Sequence, residues 1–189
     1  MSKVSIVGDP SGTGTFTISA PNGNTDRTLV LPDEAGTIIT TAGVPASAMP
    51  AGSVLQVTHA TTTAASSTSG STFVTSGLTA TITPTSSSNK ILVMLNGGAF
   101  DYGINTVNMN TAFYRNIGGS GDSFLAVVEQ MSVGHPTWAL PHSVSYLDSP
   151  ATTSSVSYTP YVRSNNGNNA IFNNGYAIPV TLTLMEIAA

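Results

Sequence analysis

Lys90-Ile91-Leu92-Val93-Met94-Leu95 contains an unbroken apolar run of five residues, Ile91 to Leu95, a length that no other run in the chain exceeds. Ser86-Ser87-Ser88-Asn89 turns into it, and Asn96-Gly97-Gly98 leads out of it. Five apolar residues are too few to argue for a helix. A short apolar run between turn signals reads as a strand buried on both faces. Such a strand needs a layer on each side. A second sheet of the same chain would supply one layer, and a neighbouring subunit the other.

The sequence around this strand is also strand-like. Upstream, Ser53-Val54-Leu55-Gln56-Val57-Thr58-His59 alternates, with Leu55, Val57 and His59 on one face. Ala60 to Thr72 is rich in Ser and Thr and reads as a solvated loop or a disordered insert. Phe73-Val74 and Leu78 to Thr83 are short strands, broken at Gly77 and ended by Pro84. Downstream, Val107 to Tyr114 alternates, with Val107, Met109 and Thr111 opposite Asn108, Asn110 and Ala112. Asn116 to Asp122 turns into Ser123–Glu129, a second long apolar strand. Gly134 to Pro141 is a loop, and Val144 and Tyr146 mark the next strand. Val156, Tyr158 and Val162 mark another, which Pro160 shifts towards a sheet edge. After the amide-rich loop Asn165 to Asn169 come a short strand at Ile171-Phe172 and a long alternation from Val180 to Ile187. No stretch has the periodicity of an amphipathic helix. Eight or more short strands split by turn signals specify an all-β sandwich or barrel. The expectation is a β-sandwich, jelly-roll-like head over residues 53–189, and its pattern is similar to trimeric heads of the complement and tumour-necrosis-factor type. That likeness carries no function.

Composition narrows the classes of function. A chain of 189 residues suits one domain with an extension. A domain of that size buries roughly 70% of its unfolded surface, so it needs no covalent staples. There is no cysteine, which excludes disulfides and thiolate metal sites. Charged residues are 7% of the chain, against about 25% in an ordinary domain. The surface is therefore solvated by hydroxyls and amides or covered by other subunits, while a 40% hydrophobic content argues against disorder. A net charge of −4 with five Lys and Arg does not supply the clustered cations of a nucleic-acid groove. No apolar run approaches the ~18 residues of a membrane span. Met1-Ser2-Lys3-Val4 lacks the apolar core of a signal peptide, so release by lysis is the expected route out of the cell.

Residues 1–41 read as a ladder of short strands. Phe16 and Ile18 alternate with polar residues, Pro21-Asn22-Gly23-Asn24 turns, and Leu29 and Leu31 precede Pro32-Asp33-Glu34-Ala35-Gly36. Strands this short make no core alone. Gly14-Thr15-Phe16-Thr17-Ile18-Ser19-Ala20-Pro21-Asn22, with Asp26-Arg27-Thr28-Leu29-Val30-Leu31-Pro32-Asp33-Glu34-Ala35-Gly36-Thr37, resembles segments that precede the C-terminal head in tailed-phage fibre proteins. The resemblance covers about residues 12 to 41. Ala51-Gly52-Ser53-Val54-Leu55-Gln56-Val57 and Thr85-Ser86-Ser87-Ser88-Asn89-Lys90-Ile91-Leu92-Val93 are likewise similar to heads of that type. Residues 42–52, with two prolines and small residues, form a stiff linker. The resemblance implies that residues 1–41 attach to a particle or start a trimer, with Phe16, Ile18, Arg27, Leu29 and Leu31 as the attachment candidates.

For chemistry the sequence offers little. There is no Gly-x-Ser-x-Gly elbow, no His-Glu-x-x-His and no phosphate loop. Glu129 and Glu186 lie on predicted strands, where a glycosidase pair is conceivable. Solvated or hydrogen-bonded strand residues are the plainer reading. His135-Pro136-Thr137-Trp138-Ala139-Leu140-Pro141-His142 is the richest stretch. A lone Trp there would stack on a sugar or fill a packing contact. The two histidines permit a metal on a three-fold axis, but no metal, cofactor or catalytic residue is expected. Trp138, His135, His142, Tyr102, Asn166 and Asn168 are the candidate receptor contacts, since amides and aromatics on loops suit glycans; ordinary loop packing is the alternative for each. Arg27, Arg115 and Arg163 are each expected to pair with a carboxylate.

These observations lead to a non-enzymatic phage virion protein. It is expected to be a homotrimer, attached to capsid or tail proteins by its N-terminal segment, and presenting its head for host-surface glycan adhesion. It would be made in the host cytoplasm and would bind no nucleic acid and insert in no membrane. A capsid decoration or head-fibre protein is the near alternative, and a free carbohydrate-binding module the alternative from another class.

Overall fold

The strand that begins at Lys90 is the spine of the fold. In the computed structural model the described residues are 11–15, 17, 23, 28, 44, 48–102, 107–133, 140–173 and 177–189. The chain divides into two compact units, Met1–Ile38 and Ile39–Ala189. In the first unit, Phe16, Ile18, Arg27, Leu29 and Leu31 lie outside the described residues.

Among its described residues the second unit is all-β, with eleven strands: β1 Val54–Thr62, β2 Ser66–Thr68, β3 Val74–Thr75, β4 Ala80–Ile82, β5 Lys90–Tyr102, β6 Val107–Ile117, β7 Ser123–Val133, β8 Leu140–Asp148, β9 Val156–Ser164, β10 Ala170–Phe172 and β11 Val180–Ile187. No α-helix occurs among the described residues. Sheet one runs β1-β11-β5, with β8 on the far side of β5 and β10-β2 continuing from its distal end. Sheet two runs β9-β6-β7, with β3 and β4 sharing the outer edge of β9. Every pairing is antiparallel, and the chain crosses repeatedly between the sheets, as in a jelly roll.

The core lies between the sheets. β5 contributes Ile91, Val93 and Leu95, β11 contributes Val180, Leu182 and Leu184, and β6 and β9 answer with Met109, Phe113, Val156, Tyr158 and Val162. Period-two alternation puts these residues on one face of each strand. Cutting one of them to alanine costs about 2–5 kcal/mol. Leu92 and Met94 point the other way and are only half-buried, so the opening strand is covered fully on one face within this chain.

Four local expectations are revised. Asn96-Gly97-Gly98 is a kink inside β5 and not its exit. Gly97 and Gly98 have φ of +87° and +73°, and Gly98 N donates to Pro179 O at 2.9 Å. The kink carries β5 from its pairing with β11 to its pairing with β10. Ala60 to Thr72 is not simply a loop, because it ends β1 and contains β2, which pairs with β10. In β1 the pattern's apolar side faces outward, with Val57 and His59 exposed and Ala60 packed on the core. Pro160 sits in a strand flanked on both sides. Its carbonyl accepts from Ser76 N at 3.0 Å, so its missing N–H faces the break between β3 and β4.

Candidate functional site

Of the candidate receptor contacts, His135 and Trp138 lie outside the described residues, as does the side chain of Tyr102. Tyr102 ends β5, and its backbone pairs with Ala170, two residues beyond Asn168. Asn166 and Asn168 lie in the loop after β9. Asn166 Oδ1 accepts from Asn108 N and Ser164 Oγ, both at 3.3 Å, and from Asn168 N at 3.4 Å, so its carbonyl end organises the loop. His142 is 1% exposed and belongs to the interior of the sandwich. Its Nδ1 faces Glu129 Oε2, to which Thr111 Oγ1 also donates at 3.2 Å. Burial pushes the His142 pKa below its ordinary value, and Glu129 only partly opposes this. The contact ties β8 to β7 and closes one side of the sandwich.

The other buried ionic groups are also fastened to the fold. Asp148 accepts from Arg115 Nη1 at 2.9 and 2.8 Å and from the Tyr158 hydroxyl at 2.7 Å, joining β8 to β6 and β9. Burial and then the Asp148 hydrogen bond push the Tyr158 pKa far up. Glu186 is fully buried on β11. Its Oε1 accepts from Thr85 N at 2.6 Å, Thr85 Oγ1 at 2.9 Å and Asn89 Nδ2 at 2.7 Å, and its Oε2 from Gln56 Nε2 at 2.6 Å. Burial raises its pKa, but the bonds from Asn89, Gln56 and Thr85 outweigh burial and leave it lowered. Glu129 and Glu186 thus sit on opposite sheets in separate networks. Among the described residues no group of three His, Asp or Glu is placed to hold a metal.

The outward faces of the sheets carry the unexplained chemistry. On sheet one, strand register aligns Val57, Met185, Leu92 and Leu147 in a row across β1, β11, β5 and β8. Val57 is 54% and Leu147 50% exposed. Val54 opposite Ile187 extends the row on one side, and Met94 on the other. Adjacent strands are about 4.8 Å apart, so the row is about 14 Å wide.

On sheet two, four rings cluster. Tyr114 of β6 and Tyr161 of β9 stack at 3.9 Å. Phe124 of β7 meets Tyr114 edge-on at 5.6 Å, and Phe73, just before β3, meets Tyr114 at 6.0 Å and Phe124 at 6.2 Å. Phe124 is 53% exposed. The Arg163 guanidinium lies 4.6 Å from the Phe73 ring centre, and its Nε donates to Asn110 Oδ1 at 3.2 Å. Arg115 therefore has the carboxylate partner expected of it, while Arg163 pairs with an amide and a ring. The Tyr161 hydroxyl donates to Asp122 Oδ2 at 2.6 Å, and Asn116 Nδ2 donates to Asp122 Oδ1 at 3.3 Å. The Asp122 hydrogen bond, with some burial, pushes the Tyr161 pKa up to about 12. Sequence reading missed this cluster. Its members are dispersed from residue 73 to residue 163, and Tyr114 faces Phe124 only after two bulges between β6 and β7.

No protein-family profile and no curated protein matches the chain. Among solved structures it is similar to a chain of infectious bursal disease virus, Gt strain, with a TM-score of 0.43 and 15% identity over 71% of this chain and 38% of that one. A chain of the T13 particle of the same virus gives 0.40 and 16% over 71% and 36%. VP2 in its subviral particle gives 0.37 and 16% over 71% and 38%. The chain thus spans less than two fifths of the length of these proteins. Likeness at this level carries no argument about function.

Proposed function

We propose that this chain is a non-enzymatic structural protein of a bacteriophage virion. It assembles as a homotrimer through the outer face of sheet one, attaches to the particle by residues 1–41, and presents its β-sandwich head for adhesion to host-surface glycans. The apolar row Val57, Met185, Leu92 and Leu147 carries the assembly part of this reading. An apolar row across four strands, exposed at Val57 and Leu147 and half-buried at Met185 and Leu92, favours a partner, and few charges surround it here. The fibre-like sequence of residues 12 to 41 supports the particle, and three linked heads would give avidity from weak single contacts. The buried carboxylates each serve a structural network, which supports a non-enzymatic role.

Electron microscopy of intact particles labelled with an antibody to the head tests the placement. Label at the tail is the expected result. Label over the capsid lattice would assign the chain to shell decoration, and particles without label would overturn the virion reading.

A further inference from the structure

We propose that the aromatic cluster on the outer face of sheet two is a carbohydrate platform that takes neutral pyranose units of a surface polysaccharide. The proposal rests on the adhesion reading above and gives it a site. A pyranose offers a C–H face and a rim of hydroxyls, so it needs aromatic surface with a fixed acceptor and fixed donors at the edges. Phe124, Tyr114, Tyr161 and Phe73 supply the surface. Asp122 supplies the acceptor. Tyr161 and Asn116 hold its carboxylate in place with one bond to each oxygen, and each oxygen keeps a second lone pair. Arg163 supplies the donors. Its central carbon lies over the Phe73 ring and Nε is bonded to Asn110, while its terminal amino groups have no hydrogen-bond partner among the described residues. Arg163 stands two residues along β9 from Tyr161, roughly 7 Å, and contacts Phe73 while Asp122 is bonded to Tyr161, so donor and acceptor meet different members of the cluster.

Two features favour a sugar over a protein partner. Only Phe124 of the four rings is mostly exposed, and the two tyrosines spend a face on each other. The apolar area is therefore well short of the ~800 Å² that each side of a stable protein interface buries. One carboxylate and one guanidinium cancel, which suits an uncharged ligand.

The test is binding of the full-length protein to an array of immobilised bacterial polysaccharides, neutral and acidic, with thermal unfolding as the check on fold. Phe124→Ala should weaken binding to neutral polysaccharides more than tenfold, Arg163→Gln several-fold, and Phe124→Tyr less than twofold, all with the unfolding midpoint of the parent. Parent-like binding by Phe124→Ala and Arg163→Gln would overturn the platform and leave the adhesion reading standing. Binding confined to acidic polysaccharides would overturn the choice of ligand. No polysaccharide binding by the parent protein would overturn the platform and the adhesion reading together.

Discussion

Glu186 shows how this chain uses its few charges. A fully buried carboxylate costs several kcal/mol of desolvation unless donors replace water. Here the turn before β5 folds over it, and Thr85, Asn89 and Gln56 supply four bonds. The residue pins both ends of that turn, Thr85 and the buried Asn89, to the last strand. Glu186→Gln keeps the shape but turns an amide towards backbone and side-chain donors. It should destabilise the head by about 3 kcal/mol at neutral pH, seen as a lower urea midpoint. The pH dependence follows from the lowered pKa. Above the ordinary value of 4.5 the folded and unfolded states are both ionised, and the full stabilisation is present. As pH falls below 4.5 the unfolded chain takes up a proton first, and stability is lost until the folded pKa is passed. The gap between parent and variant should therefore close on acidification. A gap independent of pH would show that the carboxylate charge is not what holds the turn.

At the scale of the element, β5 was the most legible part of the sequence and also the most misleading. Its inward residues Ile91, Val93 and Leu95 follow directly from the apolar run. Its continuation through Asn96-Gly97-Gly98 does not, because two glycines after an asparagine usually end a strand. The difference lies in Pro179 and Asn173, distant residues that receive the kinked backbone: Gly98 N reaches Pro179 O, and Ala99 N donates to Asn173 Oδ1 at 3.3 Å. A Cβ on Gly97 would lie 2.6 Å from Pro179 O at a φ that already disfavours side chains. Gly97→Ala should cost roughly 1–3 kcal/mol, measured by chemical unfolding. An unchanged midpoint would mean that the kink relaxes freely. The Ser/Thr-rich stretch was opaque for a related reason. Ser66–Thr68 has no apolar signature and becomes a strand only because β10 offers it a ladder.

Across the whole molecule, the two sheets share one core and turn unlike faces outward. Alternation and turn spacing were enough to read an all-β sandwich, because each strand records its own buried side. They were not enough to read either outer face. The Val57, Met185, Leu92 and Leu147 row is drawn from four strands 57 to 185 in the chain, and the ring cluster from β6, β7, β9 and the approach to β3. Both depend on register, which local pattern does not encode. In the proposed assembly sheet one meets its neighbours, and sheet two remains available for ligand. The most direct test is the native mass of the full-length protein by sedimentation, beside the double variant Val57→Lys/Leu147→Lys. Both positions are half-exposed, so charge there should leave the core intact. The parent should sediment as a species of three times the 19.3 kDa chain, and the variant as a folded monomer. A monomeric parent, or a variant that stays trimeric, would contradict assembly through this face.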